Sequence, residues 1–231
     1  MDSFIGSVIK EAQSGIMSNK YIRAINYHNT PAFSAKDFEK QLKFFKKYFS
    51  PVSVEDLDNF LDEGKWEKEK PGLIISFFNG YRNNFDVYYP LLEKYGFIGW
   101  FFIATGFVNT LPEKQKEFAL KHTLVLVKDE YEDGRYALSL EEIKKLDKHH
   151  VIASHTKTHT LLTVSSTEED MRREIIESKD DLEGALNHNI DAFCWLGGEE
   201  YNHNATASKI VLQAGYRFMF GNMKIERIKR G

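Results

Sequence analysis

The sequence predicts a single α/β domain built on a parallel sheet, either open or closed into a barrel. Three observations carry this expectation. Apolar runs of strand length alternate with segments of helical periodicity along the 231 residues. The run from Gly72 to Phe78 is apolar at nearly every position, as in a parallel strand covered on both faces. A hydrophobic content of 42%, with 14% aromatic residues, supplies a sizeable core and argues against disorder, in a length that suits one domain.

The elements follow in order. Residues 1–22 read as an N-terminal extension, and Arg23-Ala24-Ile25-Asn26-Tyr27-His28 as the first strand. Phe38, Leu42, Phe45 and Phe49 recur at helical spacing and form one apolar face. After the Gly72–Phe78 strand, Pro90 to Tyr95 carries a helix-start proline, and Gly96 provides the stop. Phe97 to Ile103 is the next apolar strand, and Val151-Ile152-Ala153-Ser154 a shorter one. Between them, Thr110 to Arg135 is polar and irregular apart from Leu124-Val125-Leu126-Val127, which predicts a surface insertion. Ser166 and Glu169 fit a capping box, and Met171, Ile175, Leu182 and Leu186 continue it as a helical stripe. Ile190 to Leu196 and Tyr216 to Phe220 are the last clear strands, separated by a helix ending near Gly215.

Composition excludes several classes. A net charge of -3, from 31 basic and 34 acidic residues, leaves no electrostatic footprint for nucleic acid. The locally basic run Lys224 to Arg230 reads as a solvated edge or a C-terminal strand. The single cysteine, Cys194, cannot form an intrachain disulfide and reads as a buried, inert thiol. No window reaches the ~18 apolar residues of a membrane span, and the first residues lack a secretion signal. The expectation is a cytoplasmic protein without a membrane partner, and a homo-oligomer is compatible with it.

Two motifs stand at the ends of strands, where parallel α/β folds build their sites. Ser76-Phe77-Phe78-Asn79-Gly80-Tyr81 closes the central strand. Asn79-Gly80 reads either as a turn pair or as an amide oxygen offered to a metal. His155-Thr156-Lys157-Thr158-His159 follows the strand ending at Ser154. Imidazoles four residues apart can converge on a divalent ion, and the same spacing also fits a solvent-facing pair. A third segment, Phe193-Cys194-Trp195-Leu196-Gly197-Gly198-Glu199-Glu200-Tyr201, follows the strand that begins at Ile190.

In order and spacing, from Tyr27-His28 to Ala214-Gly215-Tyr216, these motifs resemble the polysaccharide deacetylases of carbohydrate esterase family 4. The resemblance implies a deformed (β/α) barrel over residues 23–231, with its site at the carboxyl ends of the strands. The family's first motif is Ser/Thr-Phe-Asp-Asp-Gly-Tyr, whose first Asp is the general base and second a metal ligand; here those positions are Phe78 and Asn79. His155 and His159 correspond to the histidines that complete the site for zinc or another divalent metal. The third segment is similar to Arg-Pro-Pro-Tyr-Gly but lacks the Arg, and the late Leu-x-His that supplies the general acid has no match.

Removing an acetyl group from an N-acetylated sugar needs a metal to polarise the carbonyl, a base for the water and an acid for the amine. A phenylalanine accepts no proton, and an asparagine brings no charge to zinc. The resemblance therefore implies a catalytically impaired domain that holds its metal weakly or not at all and retains binding of an N-acetylated carbohydrate or a partner. Tyr81, Trp195 and Tyr201 would face that ligand. Two alternatives stay open. One is an active carbon–nitrogen hydrolase with a rearranged site that recruits His28, Glu199 or Glu200. The other is a structural subunit whose cleft is plugged by Phe77, Phe78 and Trp195.

Overall fold

The computed structural model describes residues 21–198, 205–221 and 225–228. Residues 1–20 of the N-terminal extension, the candidate residues Glu199, Glu200 and Tyr201, and parts of the Lys224 to Arg230 run lie outside the described residues.

The core is an eight-stranded mixed sheet curled into a half-barrel with helices on its outer face. Its strands are β1 (Ile22–Tyr27), β2 (Ser50–Pro51), β3 (Gly72–Asn79), β4 (Gly99–Ile103), β5 (Val151–Ser154), β6 (Ala192–Cys194), β7 (Phe218–Phe220) and β8 (Ile225–Arg227). They run in the order β1-β3-β4-β5-β6-β7-β8, with β2 also paired to β3. All neighbours are parallel except β7 and β8.

The absence of alternation in β3 now has its cause, since both faces are covered. Leu73, Ile75 and Phe77 point outward into a core shared with α1 (Ala35–Tyr48), to which Phe38, Leu42 and Phe45 contribute. Ile74 and Phe78 point inward with Trp100, Phe102, Phe218 and Phe220. The amino-terminal half of the barrel is packed solid. A Cβ built on Gly72 would lie 2.8 Å from Trp66, 2.8 Å from Val52 and 2.9 Å from Ile22. Trp100 is fully buried there, and its Nε1 donates to the Val52 carbonyl at 2.9 Å.

The sheet's last hairpin is tied back to α2 (Val54–Glu63) by charge. Asp58 contacts Arg217 and Arg227, each at 2.7 Å, while Arg217 also reaches Asp191 at 3.2 Å. Ile225–Arg227 thus realises the C-terminal strand reading of the basic run within the described residues.

Three features differ from the sequence expectation. The insertion 110–135 is not irregular throughout, because it opens with the helix Pro112–Lys121, whose Gln115 is buried. Gln115 Oε1 accepts from the Tyr136 and Ala137 amides at 2.7 and 2.9 Å, which fastens the helix to the body. A further helix, Leu140–Leu146, follows under its own Ser139–Glu142 capping box. The cap expected at Ser166 lies one residue later, at Thr167, whose Oγ1 accepts from Asp170 N at 3.1 Å. Ser166 instead accepts from the Thr163 amide.

Candidate functional site

Three strand ends place the candidate side chains. His28 follows β1, Phe78 and Asn79 end β3, and His155 follows β5. The register is tight, because Asn79 pairs with Ile103 and the Ile103 carbonyl accepts from the His155 N–H at 2.9 Å. One strand therefore separates Asn79 from the first histidine.

The segment from His155 to His159 is not helical. Thr156 and His159 both take left-handed φ values, +66° and +55°, which other contacts must enforce. Glu174, buried in the helical segment behind, accepts from Thr158 N at 2.7 Å and from Thr158 Oγ1 at 2.6 Å. The Lys157 carbonyl accepts from Gly106 N at 2.7 Å, and a Cβ at Gly106 would stand 2.7 Å from that oxygen. Only glycine allows this approach.

The turn brings the two imidazoles to 5.4 Å between ring centroids. Each ring has its tautomer fixed by a backbone carbonyl. His155 Nδ1 donates to Cys194 O at 3.0 Å, and His159 Nδ1 donates to His122 O at 2.8 Å. A carbonyl only accepts, so both Nδ1 atoms carry protons and both Nε2 atoms keep lone pairs. Burial pushes His155 down to about 3 and also lowers His159 and His28, so all three rings are neutral at pH 7.

Phe78 stands among these histidines. Its ring stacks on His28 at 5.3 Å and on Phe102 at 5.1 Å, and meets His155 edge-on at 5.0 Å. Asn79 ends β3 with φ +78°, donates through Nδ2 to Tyr81 Oη at 3.3 Å, and leaves its buried Oδ1 without a hydrogen-bond partner.

Tyr81, expected to face a ligand, is only 2% exposed. Its hydroxyl also accepts from Val125 N at 3.1 Å and so ties the insertion to the site. Trp195 packs edge-on against Phe193 in the outer core, and it also lines a hollow of about 260 Å³ that runs into the barrel from Phe78 and His155. No carboxylate, ammonium or guanidinium belongs to the described lining. Sequence reasoning missed His122 and Glu174, which hold the second imidazole and its turn. A buried glutamate within the Met171–Ile175 stripe gives no sign of its partner in sequence.

Comparison with protein families places residues 65–219 under the family model described as polysaccharide deacetylase. The chain belongs to the polysaccharide deacetylase family. Among solved structures it is similar to the deacetylase PplD of Streptococcus pyogenes in complex with acetate, at 20% identity and TM-score 0.65, covering 85% of this chain and 80% of that one. It is also similar to IcaB from Ammonifex degensii, at 16% identity and TM-score 0.68, covering 88% and 84%. A de-N-acetylase from Aggregatibacter actinomycetemcomitans gives 14% identity and TM-score 0.68, covering 90% of each chain. At these identities the likeness speaks for the fold. Comparison with curated proteins gives no match.

Polysaccharide deacetylases are generally metal-dependent. In this member, no group of three His, Cys, Asp or Glu side chains among the described residues is arranged to hold an ion. What fits a metal is a smaller set. Two imidazoles are oriented through their Nδ1 protons by carbonyls, as metal-binding histidines commonly are, and a buried amide oxygen on Asn79 lacks a partner. All three donors are neutral, so the set lacks the anionic charge that a carboxylate at position 79 would supply to a dication.

Proposed function

We propose that this polysaccharide deacetylase-family domain is catalytically impaired and keeps its cleft as a binding site for an N-acetylated carbohydrate. The observation that carries the reading is the Phe78 ring, lodged between His28 and His155 where the family resemblance puts the general base. A base must accept a proton from the attacking water, and its removal costs ~10²–10⁴ in rate. The described lining of the hollow offers no carboxylate as a substitute; of its imidazoles, His28 stacks on the Phe78 ring and His155 meets that ring edge-on.

A bound divalent ion would supply polarisation of the acetyl carbonyl, with His155, His159 and Asn79 as its holders. This chain's own contribution is then to orient the two imidazoles and to exclude water with the Phe78 and Phe102 rings. Neither task transfers a proton.

Deacetylation of N-acetylglucosamine oligomers tests the reading. Wild-type protein should give no turnover, and Asn79→Asp little more, since the proton acceptor is still missing. Phe78→Asp combined with Asn79→Asp should gain measurable activity. Robust wild-type turnover that disappears in His155→Ala would overturn impairment and favour a rearranged hydrolase.

A further inference from the structure

The turn that carries His159 is gripped from one helical face. Glu174, Glu177 and Asp181 recur at spacings of three and four along the helical stretch Arg173–Glu177 and Ser178–Leu186, so their side chains share one side of it. All three reach the segment between the two imidazoles. Glu177 and Asp181 take the Lys157 ammonium at 2.9 and 3.3 Å, in partly exposed pairs that add little. Glu174 is fully buried and spends both carboxylate oxygens on Thr158, accepting from its N–H at 2.7 Å and from its Oγ1 at 2.6 Å. Its contact with Arg173 is loose, at 3.7 Å from the Nε of a partly exposed side chain. A buried carboxylate is costly without such hydrogen bonds, and here both go to the residue just before His159.

We propose that Glu174 is the positioning residue of the second imidazole. Thr156 and His159 both hold left-handed φ, a conformation that a β-branched residue such as Thr156 rarely adopts. Release of Thr158 lets this turn relax, and a His159 backbone that leaves φ +55° swings its ring away from the His122 carbonyl. The ring then loses the acceptor that keeps its proton on Nδ1. Glu174 thus keeps His159 Nε2 free as a donor atom, acting through Thr158 without touching the ring's own hydrogen bond. Position is the claim, and glutamine separates it from charge. In Glu174→Gln the amide oxygen accepts from Thr158 N, and the amide N–H donates to Thr158 Oγ1, whose proton turns to Thr160 Oγ1 at 2.8 Å. Glu174→Ala removes both bonds.

The inference rests on His155 and His159 being holders of an ion, and the experiment reads the two apart. Ring nitrogen shifts of the full chain, labelled with ¹⁵N at histidine, report the His159 tautomer without metal. We expect Nδ1–H in the wild type and in Glu174→Gln, and in Glu174→Ala the Nε2–H form that an unconstrained neutral histidine favours. Thr158→Ala, which removes only the hydroxyl bond, should give a mixture of the two forms and serves if Glu174→Ala does not fold. Zinc titrated into the Asn79→Asp protein should bind ~10–100-fold more weakly once Glu174→Ala is added, and nearly unchanged with Glu174→Gln. A ring proton that stays on Nδ1 in Glu174→Ala, or in Thr158→Ala if that protein alone folds, would overturn the positioning role. Equal losses in Glu174→Gln and Glu174→Ala would overturn it in favour of charge. Gly72→Ala, overpacked at the amino end of the barrel, should leave the tautomer alone, and a shift there would reduce the effect to lost stability. Absence of zinc binding by Asn79→Asp would sink the ion-holding reading, while the tautomer still decides the role of Glu174.

Discussion

Asn79 and aspartate have nearly the same shape, and the left-handed φ of +78° is one that both tolerate better than most residues. The Tyr81 hydroxyl, which now accepts from the Asn79 amide, can turn its proton toward a carboxylate at that position. Asn79→Asp should therefore fold normally and raise zinc affinity by orders of magnitude, read by isothermal titration. Equal affinities would remove position 79 from the ligand set. Phe78 behaves differently, since its ring contacts Phe102, His28 and His155 while only 7% exposed. Phe78→Ala should cost about 3 kcal/mol in urea unfolding, the low end for buried aromatics because one side of the ring meets the hollow. The motif residues were legible in the sequence at this scale. Their supports were not, because the oxygens that orient His155 and His159 belong to the backbone of Cys194 and His122, and a carbonyl leaves no mark on residue type.

Secondary elements meet at two junctions that can be tested separately. Asp58 on α2 faces Arg217 and Arg227 from the terminal hairpin, with little side-chain exposure on any of the three. Asp58→Asn removes the carboxylate shared by two guanidinium groups, leaving Arg217 with Asp191 and Arg227 with Asp62, and should cost about 1–3 kcal/mol, against under 1 kcal/mol for Asp37→Asn in the exposed Lys40 pair. At the β4–β5 edge, His150 Nδ1 accepts from Gly99 N at 3.1 Å, and burial pushes the ring down to about 4. The unfolded chain then binds a proton that the native state refuses between about pH 6.5 and 4. Stability is intact above that window and falls as pH drops through it, with His150 contributing on the order of 1 kcal/mol per pH unit. Melting temperatures across the window should fall less steeply for His150→Gln. The sequence showed β3 through its two-sided apolar pattern, yet the helix cap that follows β5 was ambiguous at 166–170. Ser166 with Glu169 and Thr167 with Asp170 satisfy the same spacing, and the local hydrogen bond from the Thr163 amide, which occupies Ser166, decides between them.

Taken whole, the half-barrel is solid at its amino end and hollow at its carboxyl end. Gly72→Ala should cost about 1–3 kcal/mol by overpacking, because Trp66, Val52 and Ile22 already touch the space a methyl would need. Chemical denaturation measures it, and an unchanged midpoint would mean that the plug yields. The barrel was legible from alternating elements and motif order. The hollow was not, since it arises where Ser76 and Asn26 meet across strands far apart in sequence. The insertion holds a different lesson. His122 O orients His159, and Val125 N grips the Tyr81 hydroxyl that also holds Asn79. Four consecutive residues thus index both halves of the candidate ligand set from outside either motif. A grafting experiment that moved the two motifs alone onto another barrel would lose their alignment. Trimming the preceding helix Pro112–Lys121, which Gln115 fastens to the body, should disturb that alignment as well.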